Sequence, residues 1–459
     1  MYQIDFEKPQ RIHFIGIGGI SMSGLAAILL SRDFFVSGSD WHKSGLTEQL
    51  EKEGARIFEG QAAEHITADL DAVVYTAAVH EDNPEYRRAK ECGIPLVSRA
   101  QLLGQMMKNY KTAVAVAGTH GKTTTTSMLS EILLKAKMDP TISVGGILPA
   151  IGGNIRIGYS DTMVTEACEY TNSFLEFFPT VAVILNIRED HLDFFKDLSD
   201  IRRSFRKFAA RTPQSGVVII DTSIEDWEEI VEGLACRVVT VGPASASDYR
   251  AEAVAYDEED DPSFVVATSK GEREPVSMRV PGAHNMENAL AAIAAARELG
   301  VDWETIRAGL WHFEGTDRRF QKKGSFHGVT VVDDYAHHPD EIYATLTAAS
   351  QMHYQKVWCL FQPHTYSRTK ALFEEFAETL TLADEVVLAD IYAARETDDL
   401  GVSAEKLAKR ICELGTPAHY LPSFEEIERF LYKQCMHGEL LITMGAGNIV
   451  NVGESLVEP

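Results

Sequence analysis

The sequence has no hydrophobic run long enough to cross a membrane and no paired cysteine motif. Its apolar stretches all fall short of about 18 uninterrupted residues, and residues 1–10 are polar with no apolar signal segment behind them. The 6 cysteines include no CxxC pair, which disfavours a zinc site or a disulfide framework and favours reduced thiols. These absences predict a cytoplasmic protein without a membrane anchor.

Positive charge is also scarce, since 43 Lys and Arg residues stand against 68 Asp and Glu residues, giving a formal net charge of −25. An acidic surface repels phosphate backbones and anionic lipid, so we expect no nucleic-acid partner and no membrane binding. A bound phosphate group would have to be held locally, by backbone amides, a few cations and a metal ion. No sequence feature predicts a protein partner.

The 459 residues, 45% of them hydrophobic, have an ordinary globular composition and suggest about three domains. Short β-branched runs alternate with helical stretches, a pattern typical of parallel sheets covered by helices. Three such series can be separated, so we predict α/β domains over residues 1–108, 109–320 and 321–459. The acidic residues 257–261 in the second series are predicted to form a solvated loop.

The first series opens with a strand, residues 11–15, that runs into a glycine-rich turn over residues 16–24. Such a turn lets a diphosphate approach the N-terminus of the next helix. Asp40 follows the second strand, where dinucleotide folds place an acid on a ribose hydroxyl. Because Ser21 replaces the third glycine, the fingerprint is incomplete. These residues alone leave open NAD, a UDP-sugar or a tightly packed turn without a ligand.

The second series carries a stronger motif, the loop Gly118–Thr124 between a strand and a helix predicted over residues 125–136. Its amides can cradle a β-phosphate, Lys122 can neutralise the β- and γ-phosphate oxygens, and the Thr123 hydroxyl can bind magnesium. The loop is two residues shorter than the standard phosphate-binding form, but its setting predicts an ATP site. A third glycine turn, residues 444–448, is predicted only to connect a strand to a helix.

Metal-binding side chains follow two further strands of the second series. Glu166 ends the strand predicted over residues 163–165, and residues 186–193, including His191, end the strand that starts at residue 181. Ligands of open α/β sheets bind at the carboxyl ends of strands, so Glu166 and His191 are predicted to complete the magnesium site. Further on, Asn285 either caps a helix or contacts an adenine edge; both readings stay open.

The third series contains a polar cluster that packing does not explain. Residues 333–339 follow one strand and residues 362–368 follow the next, and together they bring histidines, aspartates, Tyr335 and Arg368 to adjacent strand ends. Such a cluster suits a small zwitterion. Arg368 would bind its carboxylate, and a histidine or carboxylate would take a proton from its amine.

In this order, and over essentially the whole chain, the motifs resemble those of the Mur ligases of peptidoglycan precursor synthesis. The segments that carry the resemblance are residues 16–24 with 38–40, 118–124, 166–169, 186–193, 284–288, 317–320, 333–339 and 361–368. The resemblance implies an N-terminal Rossmann-like UDP-binding domain, a central P-loop ATPase-type domain and a C-terminal Rossmann-like domain that binds the amino acid. It further implies a ligase dependent on ATP and magnesium, which joins L-alanine to the lactyl carboxylate of UDP-N-acetylmuramate through an acyl phosphate.

The resemblance also implies roles for individual residues. The UDP-sugar would be bound by Gly16, Gly18, Gly19, Ser21, Met22, Ser23, Ser39, Asp40, Thr76, His80 and Arg99. ATP would be bound by Gly118, Thr119, His120, Gly121, Lys122, Thr123, Thr124, Asn285, Asn288, Arg319 and Asp334. Magnesium would be held by Thr123, Glu166 and His191, and alanine by Tyr335, His337, His364 and Arg368. The catalytic group would consist of Lys122, Glu166, His191, His337 and His364.

Two positions depart from patterns seen within the family. Some members have an arginine directly after the histidine that matches His364, where this chain has Thr365, so no second carboxylate-binding arginine is assigned. Other members use a carbamylated lysine near the second metal; Lys207 lies near that place and receives no such assignment. His337, His364 and water all remain acceptors for the amine proton.

Alternative functions fit part of the sequence. A peptide-recycling relative shares the first two loops but is expected to differ in residues 361–369, and folate-polyglutamating relatives lack the first domain. An NAD-dependent oxidoreductase would explain the first loop and Asp40 but leaves Lys122 without a role. A nucleotide-binding protein without turnover is the remaining alternative.

Overall fold

The computed structural model describes residues 2–76, 78–192, 194–257, 261–394, 396 and 400–457. Asp193 of the predicted metal segment and residues 258–260 of the predicted acidic loop lie outside this range. The described residues form three sheets, of five, ten and six strands, in which parallel pairing predominates. The α/β class and its three-sheet organisation are therefore confirmed. None of the helices in the described ranges has the length and apolar character that a membrane crossing requires.

The N-terminal sheet is entirely parallel, with strand order β3-β2-β1-β4-β5. Its strands are β1 Arg11–Ile15, β2 Phe35–Asp40, β3 Arg56–Glu59, β4 Ala72–Tyr75 and β5 Leu96–Ser98. Its helices are α1 Ile20–Leu30, α2 Gly45–Lys52, α3 Pro84–Glu91 and α4 Arg99–Met107, with a 3₁₀ turn at Ala63–His65. Side chains of Ser44, Asn83 and Ser98 accept backbone hydrogen bonds at the starts of α2, α3 and α4.

The central sheet has the order β15-β14-β13-β12-β11-β10-β6-β9-β7-β8. Its strands are β6 Thr112–Ala117, β7 Thr141–Leu148, β8 Gly153–Arg156, β9 Thr162–Ala167, β10 Val181–Ile184, β11 Val217–Asp221, β12 Arg237–Val241, β13 Tyr249–Tyr256, β14 Pro262–Thr268 and β15 Arg273–Ser277. Its helices are α5 Lys122–Lys135, α6 Leu198–Ala209, α7 Trp227–Val231, α8 Ala283–Glu298 and α9 Trp303–His312, with 3₁₀ turns at Pro149–Ile151 and Tyr170–Glu176. Strand β6 lies between β10 and β9, so residues that follow these strands meet at one edge of the sheet.

The C-terminal sheet has the order β16-β17-β21-β18-β19-β20, and its edge strand β16 pairs antiparallel with β17. Its strands are β16 Gln321–Phe326, β17 Val329–Asp334, β18 Val357–Phe361, β19 Glu385–Leu388, β20 Ala418–Tyr420 and β21 Leu440–Met444. Its helices are α10 Pro339–Ser350, α11 Tyr366–Ala371, α12 Phe373–Leu380, α13 Ala404–Leu414, α14 Phe424–Gln434 and α15 Val450–Leu456. Two hydrophobic clusters, one around Phe361 and one around Trp358, fill the core.

By backbone contacts the chain divides into two compact units. The first comprises residues 1–252, 265–276 and 287–312, and the second comprises residues 253–264, 277–286 and 313–459. Within the first unit, one hydrophobic cluster runs from the N-terminal sheet into the central one. Helix α4 packs so closely there that a Cβ on Gly104 would lie 1.9 Å from the carbonyl oxygen of Glu176. The domain boundaries near residues 108 and 320 remain predictions.

Candidate active site

The loop Gly118–Thr124 adopts the geometry of a phosphate cradle. Gly118 and Gly121 have positive φ angles of 151° and 82°, and helix α5 begins at Lys122, three residues earlier than predicted. Lys122, Thr123 and Thr124 therefore supply the first backbone amides of the helix, where the dipole favours an anion. A Cβ on Gly121 would lie 2.2 Å from Asn288 Oδ1, so only glycine leaves this turn open.

Asn186, just beyond β10, fixes the shape of this loop. Its Oδ1 accepts a hydrogen bond from the His120 amide at 2.8 Å, and its Nδ2 donates to the His120 carbonyl at 3.1 Å. Its backbone carbonyl accepts a further bond from the Thr119 amide at 3.2 Å. On the other side of the loop, Thr125 donates to the predicted ATP ligand Asn288 at 3.3 Å. Asn186 belongs to a predicted magnesium segment, which stays a prediction; its observed contacts anchor the loop.

The ammonium of Lys122 is enclosed by acceptors. Its Nζ donates to the carbonyl oxygens of Gly118 and Thr119, at 2.5 and 2.9 Å, and to Glu169 Oε2 at 3.0 Å. Burial is the largest influence on the pKa of Lys122 and lowers it, but the charge and hydrogen bond of Glu169, together with the charges of Cys168 and Glu166, outweigh burial and the net pKa is raised. Lys122 is therefore charged at neutral pH. Sequence reasoning gave Glu169 no role, although it is the second acid of the segment that begins with Glu166.

The predicted metal ligands lie around the same lysine. Glu166, within β9, accepts a hydrogen bond from the Gly145 amide, which fixes its carboxylate, and its charge acts on Lys122. His191, with φ of 54°, has Nε2 3.6 Å from Asp190 Oδ2 and 3.8 Å from Glu169 Oε1. With the Thr123 hydroxyl at the start of α5, these oxygen and imidazole donors are of the kind that suits Mg²⁺. Their surplus of negative charge needs a cation besides Lys122, so the residues present fit a bound magnesium ion.

The N-terminal glycine turn is held by the end of β2. The amides of Gly16 and Ile17 donate to the Ser39 carbonyl at 2.8 and 3.0 Å, and the Gly18 amide donates to Asp40 Oδ2 at 2.8 Å. The other carboxylate oxygen of Asp40 accepts from the Trp41 amide. Two backbone amides thus occupy Asp40, which shapes the turn directly; its contact with a ribose stays a prediction.

Other predicted UDP-sugar ligands lie around this turn. Arg99 donates to the Ser21 hydroxyl at 3.0 Å, which joins the start of α4 to the start of α1. Met22 and Ser23 are buried within α1, and the Ser39 hydroxyl is buried and donates to Glu85 at 2.6 Å. The remaining members of the set are Gly19 in the turn, and Thr76 and His80 beyond β4.

The polar residues predicted to meet at adjacent strand ends of the C-terminal domain do lie close together. His337 and His364 lie with ring centroids 6.1 Å apart, the Tyr335 ring lies 5.4 Å from His337, and Arg368 reaches 3.5 Å from His364 Nδ1. The Nδ1 of His337 is 2.9 Å from the Tyr335 carbonyl, an acceptor, so Nδ1 carries the proton and Nε2 is left as an acceptor. Burial lowers the pKa of His337 to about 4 and also lowers that of His364, so both rings are neutral near pH 7.

Two acidic residues brace this cluster. Asp333 accepts from Arg318 at 2.9 Å and from Thr443 at 2.6 Å. Asp334 accepts from the Ala336 amide at 2.8 Å, and burial raises its pKa to about 6. Asp334 therefore shapes the turn after β17, and its predicted contact with ATP stays a prediction.

Arg319 and Asn285, two further predicted ATP ligands, lie in the same compact unit. Arg319 stacks over Tyr335 at 5.6 Å from the ring centroid and pairs with Glu341 at 3.4 Å. Asn285 donates to the Pro281 carbonyl at 2.6 Å, and since α8 begins at Ala283, the suggestion that it caps the helix is wrong. Its alternative role at an adenine edge stays a prediction.

The third glycine turn joins β21 to α15, as predicted. The carbonyl oxygens of Gly445 and Gly447 accept hydrogen bonds from Arg318 at 2.7 and 3.0 Å. These bonds tie the turn to the segment before β16 and so give it a structural role.

Comparisons with known proteins cover nearly the whole chain. Three family profiles match in order: "Mur ligase family, catalytic domain" over residues 11–111, "Mur ligase middle domain" over 116–296 and "Mur ligase, glutamate ligase domain" over 318–447. The UDP-N-acetylmuramate–L-alanine ligase of Lachnospira eligens is 58% identical over 459 residues, 100% of both chains. The enzyme of the same name from Agathobacter rectalis is 56% identical over 458 residues, again 100% of both.

Solved structures give the same match. The UDP-N-acetylmuramate–alanine ligase of Thermotoga maritima superposes with a TM-score of 0.79 at 31% identity, covering 97% of this chain and 98% of that one. A murein peptide ligase from Psychrobacter arcticus superposes with a TM-score of 0.68 at 25% identity, covering 97% and 98%.

Proposed function

The chain belongs to the Mur ligase family, and from that membership we propose that it is the ATP-dependent ligase that joins L-alanine to UDP-N-acetylmuramate in the cytoplasm. The observation that supports this function is the loop Gly118–Thr124, which brings Lys122 and a helix N-terminus together beyond β6, with Glu169 at 3.0 Å from the Lys122 Nζ. Full-length relatives named for this reaction, at 58% and 56% identity, support the choice of acceptor and amino acid.

The chemical problem is that a carboxylate is a poor electrophile. Its negative charge repels a nucleophile, and oxide is a very poor leaving group. Transfer of the γ-phosphoryl group of ATP to the lactyl carboxylate gives an acyl phosphate, whose leaving group is phosphate. Because donor and acceptor are both anions, the protein's main task is to position them and offset their charge.

Residues of the central domain perform that task in the proposal. The α5 amides and Lys122 bind the β- and γ-phosphate oxygens, and the bonds from Asn186 keep the loop in shape for them. Thr123, Glu166 and His191 would hold magnesium, which supplies further neutralisation of phosphate charge when bound. The N-terminal turn, fixed by Ser39 and Asp40, would bind the UDP moiety at the start of α1.

Residues of the C-terminal domain would bind alanine. Arg368 pairs with its carboxylate, and His337 presents a neutral Nε2 that accepts a hydrogen bond from the amine. The amine attacks the acyl phosphate with its lone pair, the bond to phosphate breaks, and the amine proton leaves to His337, His364 or water. The amide product, ADP and phosphate balance the reaction.

The test is phosphate release with ATP and magnesium, in which UDP-N-acetylmuramate and each candidate amino acid are omitted in turn. We expect release only when all components are present, with L-alanine preferred over glycine and L-serine. A peptide arm, with L-alanyl-γ-D-glutamyl-meso-diaminopimelate in place of alanine, checks the peptide-ligase alternative. Turnover with that peptide but not with alanine would overturn the assignment, and so would an absence of phosphate release with every pair.

Lys122→Ala provides the residue-level test. Removal of the ammonium should lower kcat by at least about 100-fold, because its charge contributes most when phosphate charge develops. The matched control is Lys135→Ala, at the exposed C-terminal end of the same helix, which should leave kcat unchanged. Folded Lys122→Ala protein with near-normal turnover would remove the loop from the mechanism.

A further inference from the structure

Lys122 forms a buried ion pair with Glu169. Both carboxylate oxygens of Glu169 lie within hydrogen-bond distance of its Nζ, at 3.0 and 3.3 Å. Glu169 is only 2% exposed, and Lys122 draws its other contacts from the carbonyls of its own loop. A carboxylate thus occupies part of the space around the ammonium that a phosphate oxygen would need.

The surroundings of Glu169 hold it there. It directly precedes the 3₁₀ turn Tyr170–Glu176, in which Thr171 and Asn172 adopt left-handed φ angles of 54° and 59°. Its Oε1 lies 3.8 Å from His191 Nε2, and the His191 ring stacks on Tyr170 with centroids 4.4 Å apart. The turn and the stacked ring restrict the side chain, so the pair with Lys122 is a fixed part of the site.

Such a pair has a consequence for an anionic ligand. The carboxylate neutralises the lysine and repels phosphate oxygens that approach it, and in a buried site this repulsion is weakly screened. A divalent cation that arrives with the phosphates offsets the charge of Glu169 and leaves the lysine available. Without the cation, the nucleotide has to compete with Glu169 for the same ammonium.

We propose that Glu169 is a positioning residue that holds Lys122 within its loop and makes nucleotide binding depend on an accompanying divalent cation. The inference rests on the proposed function, because it takes the loop Gly118–Thr124 as the seat of the nucleotide phosphates. It gives the enzyme a means to select metal-bound over metal-free nucleotide at the binding step.

The test is calorimetric titration of the full chain and its Glu169→Gln variant with ADP, once with EDTA and once with magnesium. Gln keeps the size and a hydrogen-bond acceptor but removes the charge. We expect metal-free ADP to bind about tenfold more tightly to the variant, and the gain from magnesium to shrink by the same factor. AMP, which has no β-phosphate to reach Lys122, should bind both proteins equally.

Two further variants complete the design. Glu228→Gln removes the same charge at an exposed position on α7 and should change no affinity. Glu169→Asp keeps the charge but withdraws it by one methylene group, so it should give a smaller gain in metal-free affinity, about threefold. If circular dichroism shows that Glu169→Gln does not fold, Glu169→Asp still tests the proposal.

Each contrary outcome is distinct. Equal metal-free affinity of the folded variant and the unmodified chain for ADP would overturn the role of Glu169 while leaving the proposed function intact. Loss of the magnesium effect with metal-free affinity unchanged would make Glu169 a metal ligand and would also overturn it. An unmodified chain that binds no ADP even with magnesium would overturn the proposed function and this inference together.

Discussion

Glu85 shows how one buried carboxylate can organise an N-terminal sheet. It is fully buried, accepts hydrogen bonds from the Ser39 hydroxyl and from His65 Nδ1, each at 2.6 Å, and lies 3.5 Å from His13 Nε2. Burial raises its pKa, but the contacts with His13, Ser39 and His65 outweigh that effect and the net pKa is lowered. The Ser39 carbonyl accepts the hydrogen bonds that hold the glycine turn. By fixing the Ser39 side chain, Glu85 therefore stabilises the proposed UDP site indirectly.

We expect Glu85→Gln to destabilise the protein by about 3 kcal/mol at pH 7, because it breaks a buried charged network and leaves its partners imperfectly paired. The lowered pKa of Glu85 contributes stability that is present above its unfolded value of 4.5 and is lost as pH falls through the folded value. The difference from the unmodified chain should therefore narrow below about pH 4. Urea unfolding of both proteins at pH 7 and at about pH 4 measures this difference in the free energy of unfolding.

The control for that experiment is Glu91→Gln, on the exposed end of the same helix α3. Its surface pair with Arg88 should contribute less than about 1 kcal/mol, with little dependence on pH in this range. A Glu85→Gln variant as stable as this control at pH 7 would show that the network does not stabilise the sheet.

At the scale of elements, the junction of β6 and α5 depends on a glycine that no other residue can replace. Gly121 has φ of 82°, and a Cβ there would meet Asn288 Oδ1. We expect Gly121→Ala to lower kcat by about 100-fold or more, since displacement of the loop by even 1 Å misplaces the phosphates. Phosphate release under saturating substrates measures the effect.

An alanine at position 121 would both strain a backbone with positive φ and clash with Asn288. Gly233→Ala separates these two effects. Gly233 has a similar φ of 75°, but a Cβ there would meet nothing within 4 Å. It should cost about 1 kcal/mol in stability from backbone strain alone and leave kcat unchanged. Equal turnover in the two alanine variants would show that a Cβ at position 121 does not disturb the loop through a clash with Asn288.

The sequence predicted the buried parallel strands best. The strand predicted over residues 11–15 has those same bounds in the structure, and the strand predicted to start at residue 181 begins there as β10, because buried parallel strands are short, mainly apolar runs. The antiparallel pair β7–β8 was not predicted, since its residues are partly exposed and interrupted by glycines. Such edge strands form through pairing with neighbours rather than through a strong pattern of their own.

The candidate site was predicted one segment at a time, and what joins the segments was not. Lys122 and His191 follow recognisable strands, so each could be found locally. Glu169 acts on Lys122 from 47 positions away, and Asn186 contacts His120 from 66 positions away. Pairings of that kind depend on which strands become neighbours in the sheet, and composition and spacing do not determine strand order.

At the scale of the whole molecule, three series of strands became three sheets, whereas backbone contacts divide the chain into two units. Parts of β13, β14 and α8 belong with the C-terminal residues. The division follows long-range contacts, whereas sequence boundaries follow the alternation of local elements. The N-terminal and central sheets share one hydrophobic cluster, which no feature of the linear sequence indicated.

The net charge of −25 gives the last prediction, because the substrates it must attract are themselves anions. Beyond the reach of Lys122 and the helix N-termini, the protein's field repels a nucleotide or UDP-sugar, and added salt screens that repulsion as the Debye length falls from about 30 Å at 10 mM to about 8 Å at 150 mM. We therefore expect kcat/KM for UDP-N-acetylmuramate to rise about twofold or more over that range of KCl. The KM for alanine, a zwitterion without net charge, should stay constant and serves as the control. A fall in kcat/KM with added salt would contradict this prediction. It would mean that the positive potential at the binding turns attracts the substrate more strongly than the net negative charge of the molecule repels it.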